Sequence, residues 1–409
     1  MTGTRHPTAQ RYPLLGGEVT VGGLPLSLVA ARAGSTPFYA YDRALLSARV
    51  RELRDTLPAS ISLHYAIKAN PMPALVGHMA RLVDGLDVAS GAELRVALDA
   101  GMDPREISFA GPGKAEGELA QAVAAGALVN VESMREVGLL AALSERLGRP
   151  ARVALRVNPD FELKSSGMKM GGGPRQFGVD AEQAPQALNA IGAAGLAFEG
   201  FHVFSGSQNL RSEAICEAQT KALDLAHRLS EHAPGPIKVL NLGGGFGVPY
   251  FPGEQPLDIA PIGRHLNGIA AQAHEWLGDT ELVIELGRFM VAEAGIYVCR
   301  VLDRKISRGH VFLVTDGGLH HHLAASGNFG QVLRKNYPVE IGTRVDAGRP
   351  AELASVVGPL CTPLDLLADR MELAADCGDL VVVYQSGAYG LTASPLGFLS
   401  HPAPVEMLV

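Results

Sequence analysis

The chain has 409 residues, too many for one average domain and enough for two unequal ones, of which one can be a barrel of about 250 residues. Apolar residues make up 47% and charged residues 19%, which supports a large buried core and excludes a disordered chain. A net charge of −7 and an aromatic content of 6% provide neither a basic footprint for nucleic acid or an acidic membrane surface nor a platform for stacking bases.

The N-terminal residues lack the apolar core of a secretory signal, and no unbroken apolar run approaches the ~18 residues of a membrane span. A cytoplasmic protein is therefore expected. The early stretch GEVTVGG…TPFYAYD reads as strands. From Ile61 to Glu285 one phrase repeats: a short apolar, β-branched run, a polar turn, then an Ala/Leu-rich segment of helical period. The strand candidates are 61–67, 86–89, 107–110, 127–131, 151–157, 198–204, 238–242 and 281–285. Buried parallel strands are short and continuously apolar, as these are. Eight such units predict an α/β (β/α)8 barrel of the TIM type, with an open doubly wound sheet as the structural alternative. The Gly-rich connection 167–178 (GMKMGGGPRQFG) reads as a lid. After Arg288 strand-like runs dominate, which predicts a C-terminal all-β domain that also takes in the N-terminal segment. The expected boundaries are 1–41 for that segment, 42–285 for the barrel and 286–409 for the β domain.

Cys216, Cys299, Cys361 and Cys377 form no CxxC pair, so neither disulfides nor structural zinc are expected. The triplet His320–His322 suggests a metal cluster, but consecutive strand residues point to opposite faces, and no metal is expected.

In a barrel, functional groups stand at the C-terminal strand ends. Those ends carry Lys68, Asp87 with Ser90, Glu132, Asn158, His202, the turn Gly243–Gly247, and Glu285 to Arg288. Each has an ordinary structural reading: a snorkelling lysine, a hydrogen-bonded core histidine, a tight loop. Their convergence on one rim points to chemistry. A lysine can form a Schiff base with an aldehyde, and Gly-rich backbone can approach a phosphate. A histidine can stack on a ring, and a carboxylate can pair with a protonated pyridine nitrogen. The cofactor with all three features is pyridoxal 5'-phosphate.

The segments HYAIKANP (64–71), LDVASGAE (86–93), FHVFSGSQ (201–208), NLGGGFGVPY (241–250), ELGR (285–288), GPLCTPLD (358–365) and QSGAYG (385–390) resemble the fold-type III pyridoxal-phosphate decarboxylases. That family includes the ornithine, diaminopimelate and arginine decarboxylases. The resemblance implies that Lys68 forms the Schiff base, that His202 stacks on the ring and that Glu285 binds the pyridine nitrogen. It further implies cofactor contacts from Asp87, Ser205, Gly243, Gly244, Gly245, Gly287, Arg288 and Tyr389. Arg288, Thr362 and Tyr389 are the implied substrate contacts, and Cys361 the proton donor. In the family the Cys segment reaches into the partner subunit's barrel, which implies a head-to-tail homodimer with shared sites.

Two departures bear on the substrate. Thr362 stands where the family carries an acidic residue for the distal amine, and Asp316-Gly-Gly is not followed by the Arg-Pro-x-Leu-Tyr stretch of diaminopimelate decarboxylases. The C-terminal region resembles exosortase-associated decarboxylases and those acting on a glutamyl group thioesterified to a carrier protein. The expected activity is α-decarboxylation of an L-amino acid or of an aminoacyl group on a carrier protein, releasing CO2 and an amine. Diaminopimelate decarboxylation is the alternative. An amino-acid racemase would place an arginine where Glu285 stands, and a non-catalytic homologue would not need Lys68, His202, Glu285 and Cys361 together.

Overall fold

The computed structural model describes residues 5–162, 168–169, 171–251, 253–329, 331, 334–345, 348 and 350–409. The chain divides into two compact units, Ser47–Pro249 with Gln255–Met290, and Met1–Leu46 with Tyr250–Glu254 and Val291–Val409.

The first unit is a closed barrel of eight parallel strands: β1 (Ile61–Ala66), β2 (Gly85–Val88), β3 (Ile107–Phe109), β4 (Leu128–Val131), β5 (Arg152–Asn158), β6 (Ala197–Val203), β7 (Val239–Gly244) and β8 (Glu281–Leu286). Each strand pairs with the next in sequence, and Leu282↔Ile61 through Leu286↔Tyr65 close β8 onto β1. The strands are buried almost throughout, which is why their sequences run apolar instead of alternating.

Helix α1 (Arg43–Thr56) precedes β1, and α2 (Pro73–Met79), α3 (Gly91–Asp99), α4 (Glu116–Ala125), α5 (Met134–Leu147), α6 (Ala184–Ala193), α7 (Ser212–Ser230) and α8 (Ala260–Leu277) fill the connections. The sequence sets their ends. Ser90 and Ser133 cap α3 and α5 by accepting the N–H groups of Glu93 and Glu136, and Gly126 and Gly148 end α4 and α5 in the left-handed conformation. No helix among the described residues is long and apolar enough to cross a membrane.

In the second unit the strands lie in the order 339–341, 380–383, 295–307, 310–315, 352–357, 366–373. Phe38–Tyr41 pairs antiparallel with Gly295–Val298 and parallel with Val405–Leu408, so the N-terminal segment is built into this sheet, as expected. Tyr12, Val19, Leu26, Phe38, Ile296, Val298, Val382 and Tyr384 form its core. Tyr250, from the Tyr250–Glu254 excursion, packs its ring on Tyr337 with centroids 4.8 Å apart. The strand Leu366–Leu373 ends the sheet order; it buries Leu367, Ala368 and Leu373, while the exposed Asp369, Arg370 and Glu372 interrupt its apolar run.

The His320–His322 triplet lies in this unit and is buried. His321 Nε2 lies 2.9 Å from the Pro402 carbonyl oxygen and His322 Nε2 2.9 Å from Ser386 Oγ.

One buried pair in the barrel carries a testable load. Lys114, 3% exposed, donates to both carboxylate oxygens of Glu136 at 3.1 and 3.0 Å and to the Asn130 carbonyl at 2.8 Å. Removing one member strands a buried charge, which costs about 3–5 kcal/mol. Glu136→Ala should lose that much in urea unfolding, and a loss below about 1 kcal/mol, the scale of surface pairs, would contradict the pairing.

Candidate active site

The turn Ile67–Ala69 continues β1 and presents Lys68 at the barrel mouth. Its Nζ lies 3.5 Å from Glu285 Oε1 and 5.6 Å from the centroid of the Phe204 ring. Glu285 stands near the end of β8 and is 6% exposed. From β6, His202 brings Nε2 to 3.3 Å from Glu285 Oε2, without the alignment of a hydrogen bond. Both ring nitrogens of His202 are buried and without a hydrogen-bond partner. Burial alone would raise the Glu285 pKa. The Lys68 charge, the His202 ring and the Arg156 guanidinium outweigh it and hold the carboxyl far below its ordinary value.

Sequence reasoning missed Arg156, although an arginine inside the apolar run of β5 was a visible signal. It donates to Glu132 Oε1 at 2.8 Å, and its guanidinium carbon lies 5.0 Å from the centroid of the Phe177 ring. Glu132 in turn accepts the Gly111 N–H at 2.5 Å and the Gly178 N–H at 3.0 Å, tying the connections after β3 and β5 to the barrel. Burial works against its ionised form, but Arg156 and Lys114 keep its pKa lowered. Glu285 and Glu132 therefore each add stability that is complete above the free-glutamate pKa of about 4.3 and lost as pH falls through the folded value.

The glycine turn differs from its expected form. Strand β7 continues two residues into it, with a register shift that sets Gly244 opposite Glu285. A Cβ on Gly244 would stand 1.9 Å from the Glu285 carbonyl oxygen, so glycine is what lets β7 approach β8 there. Gly245 has φ +77°, and a Cβ on it would stand 2.2 Å from the Gly206 carbonyl oxygen. The Asn209 N–H donates to the Gly245 carbonyl at 2.9 Å and the Gly247 N–H to that of Asn209 at 2.8 Å. Ser205, Gly206, Gly244 and Gly245 thus lie side by side around a cavity of about 20 Å³.

Of the remaining barrel residues, Asp87 is buried with Oδ1 3.5 Å from His64 Nδ1, and Ser90 is the α3 cap. Gly287 lies against the Lys68 turn, where a Cβ would stand 3.0 Å from that of Ala69, and Arg288 opens a short helix, Arg288–Val291. Asn158 donates to the Gly173 carbonyl at 3.0 Å and to Asp180 at 2.7 Å. The expected lid is thereby tethered at Gly173 and Gly178, while Met168–Lys169 pairs with Gly206–Ser207; its residues 167 and 170 lie outside the described residues.

The β-rich unit carries Cys361, Thr362 and Tyr389. Cys361 is exposed in the turn that follows the strand Glu352–Val357. Thr362 Oγ1 accepts the Leu364 N–H at 3.3 Å. Asp365, 3% exposed, accepts the Leu319 N–H on Oδ1 at 2.6 Å and the Leu360 N–H on Oδ2 at 2.8 Å. Its carboxylate shapes the Cys361 turn from inside. Tyr389 is half-buried with a left-handed backbone, φ +53°.

A lysine amine, an ionised carboxylate, an unpartnered histidine ring and a cradle that any Cβ would fill suit the aldehyde, ring nitrogen, ring face and phosphate of pyridoxal phosphate. Barrel, β-rich domain and this mouth define a fold-type III pyridoxal-phosphate enzyme. Residues 43–292 match the family described as pyridoxal-dependent decarboxylase, pyridoxal binding domain. L-Glutamyl-[BtrI acyl-carrier protein] decarboxylase of Niallia circulans is 42% identical over 379 residues, covering 91% of this chain and 88% of the relative. Diaminopimelate decarboxylase of Aquifex aeolicus is 32% identical over 405 residues, covering 96% and 91%. Among crystal structures, diaminopimelate decarboxylase from Helicobacter pylori complexed with L-lysine matches with a TM-score of 0.82 at 26% identity, covering 94% of each chain. The chain belongs to the pyridoxal-dependent decarboxylases: it is a carboxy-lyase, and pyridoxal phosphate is its cofactor.

Gly245→Ala should weaken pyridoxal phosphate binding by at least about tenfold, because the added methyl meets backbone and the backbone itself resists the change. Cofactor titration followed by visible absorbance checks this, and unchanged affinity would remove the Gly245 turn from the phosphate site.

Proposed function

We propose that the protein decarboxylates an aminoacyl group carried as a thioester on a carrier protein, with a glutamyl-type group the leading substrate. The observation that carries this reading is the commitment of Asp365. A distal ammonium taken out of water needs a carboxylate partner, and an unpaired one costs several kcal/mol. The residue after Cys361 is Thr362, a hydroxyl that cannot neutralise an ammonium, and Asp365 is 3% exposed with each carboxylate oxygen already accepting a backbone N–H. A neutral amide or thioester tail suits such a segment better than the side chain of ornithine, lysine or diaminopimelate. The 42% identity to a carrier-protein glutamyl decarboxylase supports the same reading.

When bound, pyridoxal phosphate supplies an electron sink for the pair released as the Cα–carboxylate bond breaks. Lys68 is the residue whose amine would hold the cofactor by its aldehyde. Glu285, kept ionised by its neighbours, holds the proton at the pyridine nitrogen. His202 covers one ring face, while Ser205 and Gly243–Gly245 receive the phosphate. Asp87, Gly287, Arg288, Thr362 and Tyr389 are carried over from the family as further cofactor or substrate contacts. Cys361 of the partner subunit delivers the proton to Cα in a head-to-tail homodimer, with a general-acid contribution of roughly 10²–10⁴-fold. Four free cysteines suit a reducing compartment, and we place the enzyme in the cytoplasm.

Mixing inactive Lys68→Ala with inactive Cys361→Ala protein should restore part of the activity, since a hybrid dimer regains one intact site. No recovery, with subunit exchange verified, would mean that the site is not shared. For the substrate, CO2 release from a glutamyl-loaded carrier protein should exceed that from free glutamate or diaminopimelate by about tenfold or more in kcat/KM. Comparable turnover of free diaminopimelate would overturn the carrier reading in favour of a diaminopimelate decarboxylase.

A further inference from the structure

The barrel has a second polar cluster, at the end opposite Lys68. A cavity of about 240 Å³ opens among the first residues of β3 through β8, and His64, Glu106 and Glu281 line it. We propose that this end of the barrel binds one divalent transition-metal ion, with His64, Glu106 and Glu281 as its protein ligands. The inference is independent of the substrate reading above.

Strand geometry places the three together. Glu281 begins β8 on the face that Glu285 occupies four residues later, ~13 Å along the strand. Glu106 immediately precedes β3, and His64 comes from β1. One donor atom of each residue lies within 4.8 Å of the others. Three donors bound at about 2.1 Å to a single ion stand at most ~4.2 Å apart, so small side-chain rotations close the site.

The histidine carries the argument further than two neighbouring carboxylates could. His64 is buried, and neither ring nitrogen has a hydrogen-bond partner. Its Nδ1 faces Asp87 Oδ1 at 3.5 Å without hydrogen-bond alignment. Its Nε2 lies beside Gly85, where a Cβ would stand 2.4 Å from that nitrogen and 2.6 Å from the Glu106 carbonyl oxygen. Metal on Nε2 would keep the proton on Nδ1, turned to Asp87, which is the carboxylate–histidine–metal arrangement common to zinc sites.

Three cations line the cavity, Arg105, Arg152 and Lys238, and the two arginines have partners of their own. Arg152 makes a two-pronged pair with Glu199 at 2.9 and 2.8 Å, and Arg105 pairs with Asp103 at 2.7 Å. Glu281 accepts a hydrogen bond from Ser62 Oγ, and its carboxylate lies close to that of Glu106. One imidazole and two carboxylates, with room for water, suit Zn²⁺ or Co²⁺; Mg²⁺ and Ca²⁺ prefer all-oxygen sites.

The test uses untagged holoenzyme, stripped with a chelator and dialysed, then titrated calorimetrically with Zn²⁺ alone. Binding of about one equivalent per chain is expected, with a rise in melting temperature. Glu281→Gln and Glu106→Gln keep side-chain shape and should each weaken Zn²⁺ binding at least ~10-fold and abolish the melting shift. His64→Gln should do the same, and if it fails to fold the two glutamine variants decide. Co²⁺ should give the visible absorption of a low-symmetry site, lost in Glu281→Gln. Absence of binding, or Zn²⁺ affinity unchanged in both glutamine variants, would overturn the proposal, since any ion bound then sits elsewhere.

Discussion

Glu285 is 6% exposed, and a carboxylate that far from water costs several kcal/mol unless opposite charge compensates it. Lys68 at 3.5 Å, His202 at 3.3 Å and the field of Arg156 supply that compensation. Each comes from a different strand or turn of the barrel, so the ionised state of one side chain depends on closure of the whole sheet. Gly244 adds the local condition, because only without a side chain can β7 lie against β8 at the level of Glu285.

The same device recurs where loops must be shaped. Glu132 gathers Arg156 and the N–H groups of Gly111 and Gly178, and Asp365 gathers those of Leu319 and Leu360. A buried carboxylate with two accepting oxygens can hold two chain segments at fixed distance, which apolar packing does less specifically. In the barrel this steadies the rim around Lys68. In the β-rich unit it fixes the turn that carries Cys361.

The barrel was legible because parallel strands buried on both faces must be short apolar runs, and eight of them alternate with helices whose caps are written as Ser90, Ser133, Gly126 and Gly148. Lys68, His202 and Glu285 were legible because functional groups of a barrel collect at one end of its strands. Arg156 was not, since its role depends on Glu132 lying across from it on a neighbouring strand connection, a pairing that no linear spacing encodes. Leu366–Leu373 escaped notice because the exposed Asp369, Arg370 and Glu372 break up its apolar residues, only part of which face the core. Asp365 could be read from sequence as a free acid, and only the fold reveals that it is buried with each oxygen accepting a backbone N–H. The cluster of His64, Glu106 and Glu281 is likewise invisible in one dimension, its members being scattered over more than half the chain.

The central claim is that Glu285 is ionised and maintains a proton on the cofactor's pyridine nitrogen. Reconstituting the enzyme with pyridoxal phosphate labelled with nitrogen-15 in the ring and recording its NMR shift tests this directly. The account predicts a protonated nitrogen in the wild-type protein and an unprotonated one in Glu285→Gln at the same pH. An unprotonated nitrogen in the wild-type protein, or one still protonated after the substitution, would contradict it.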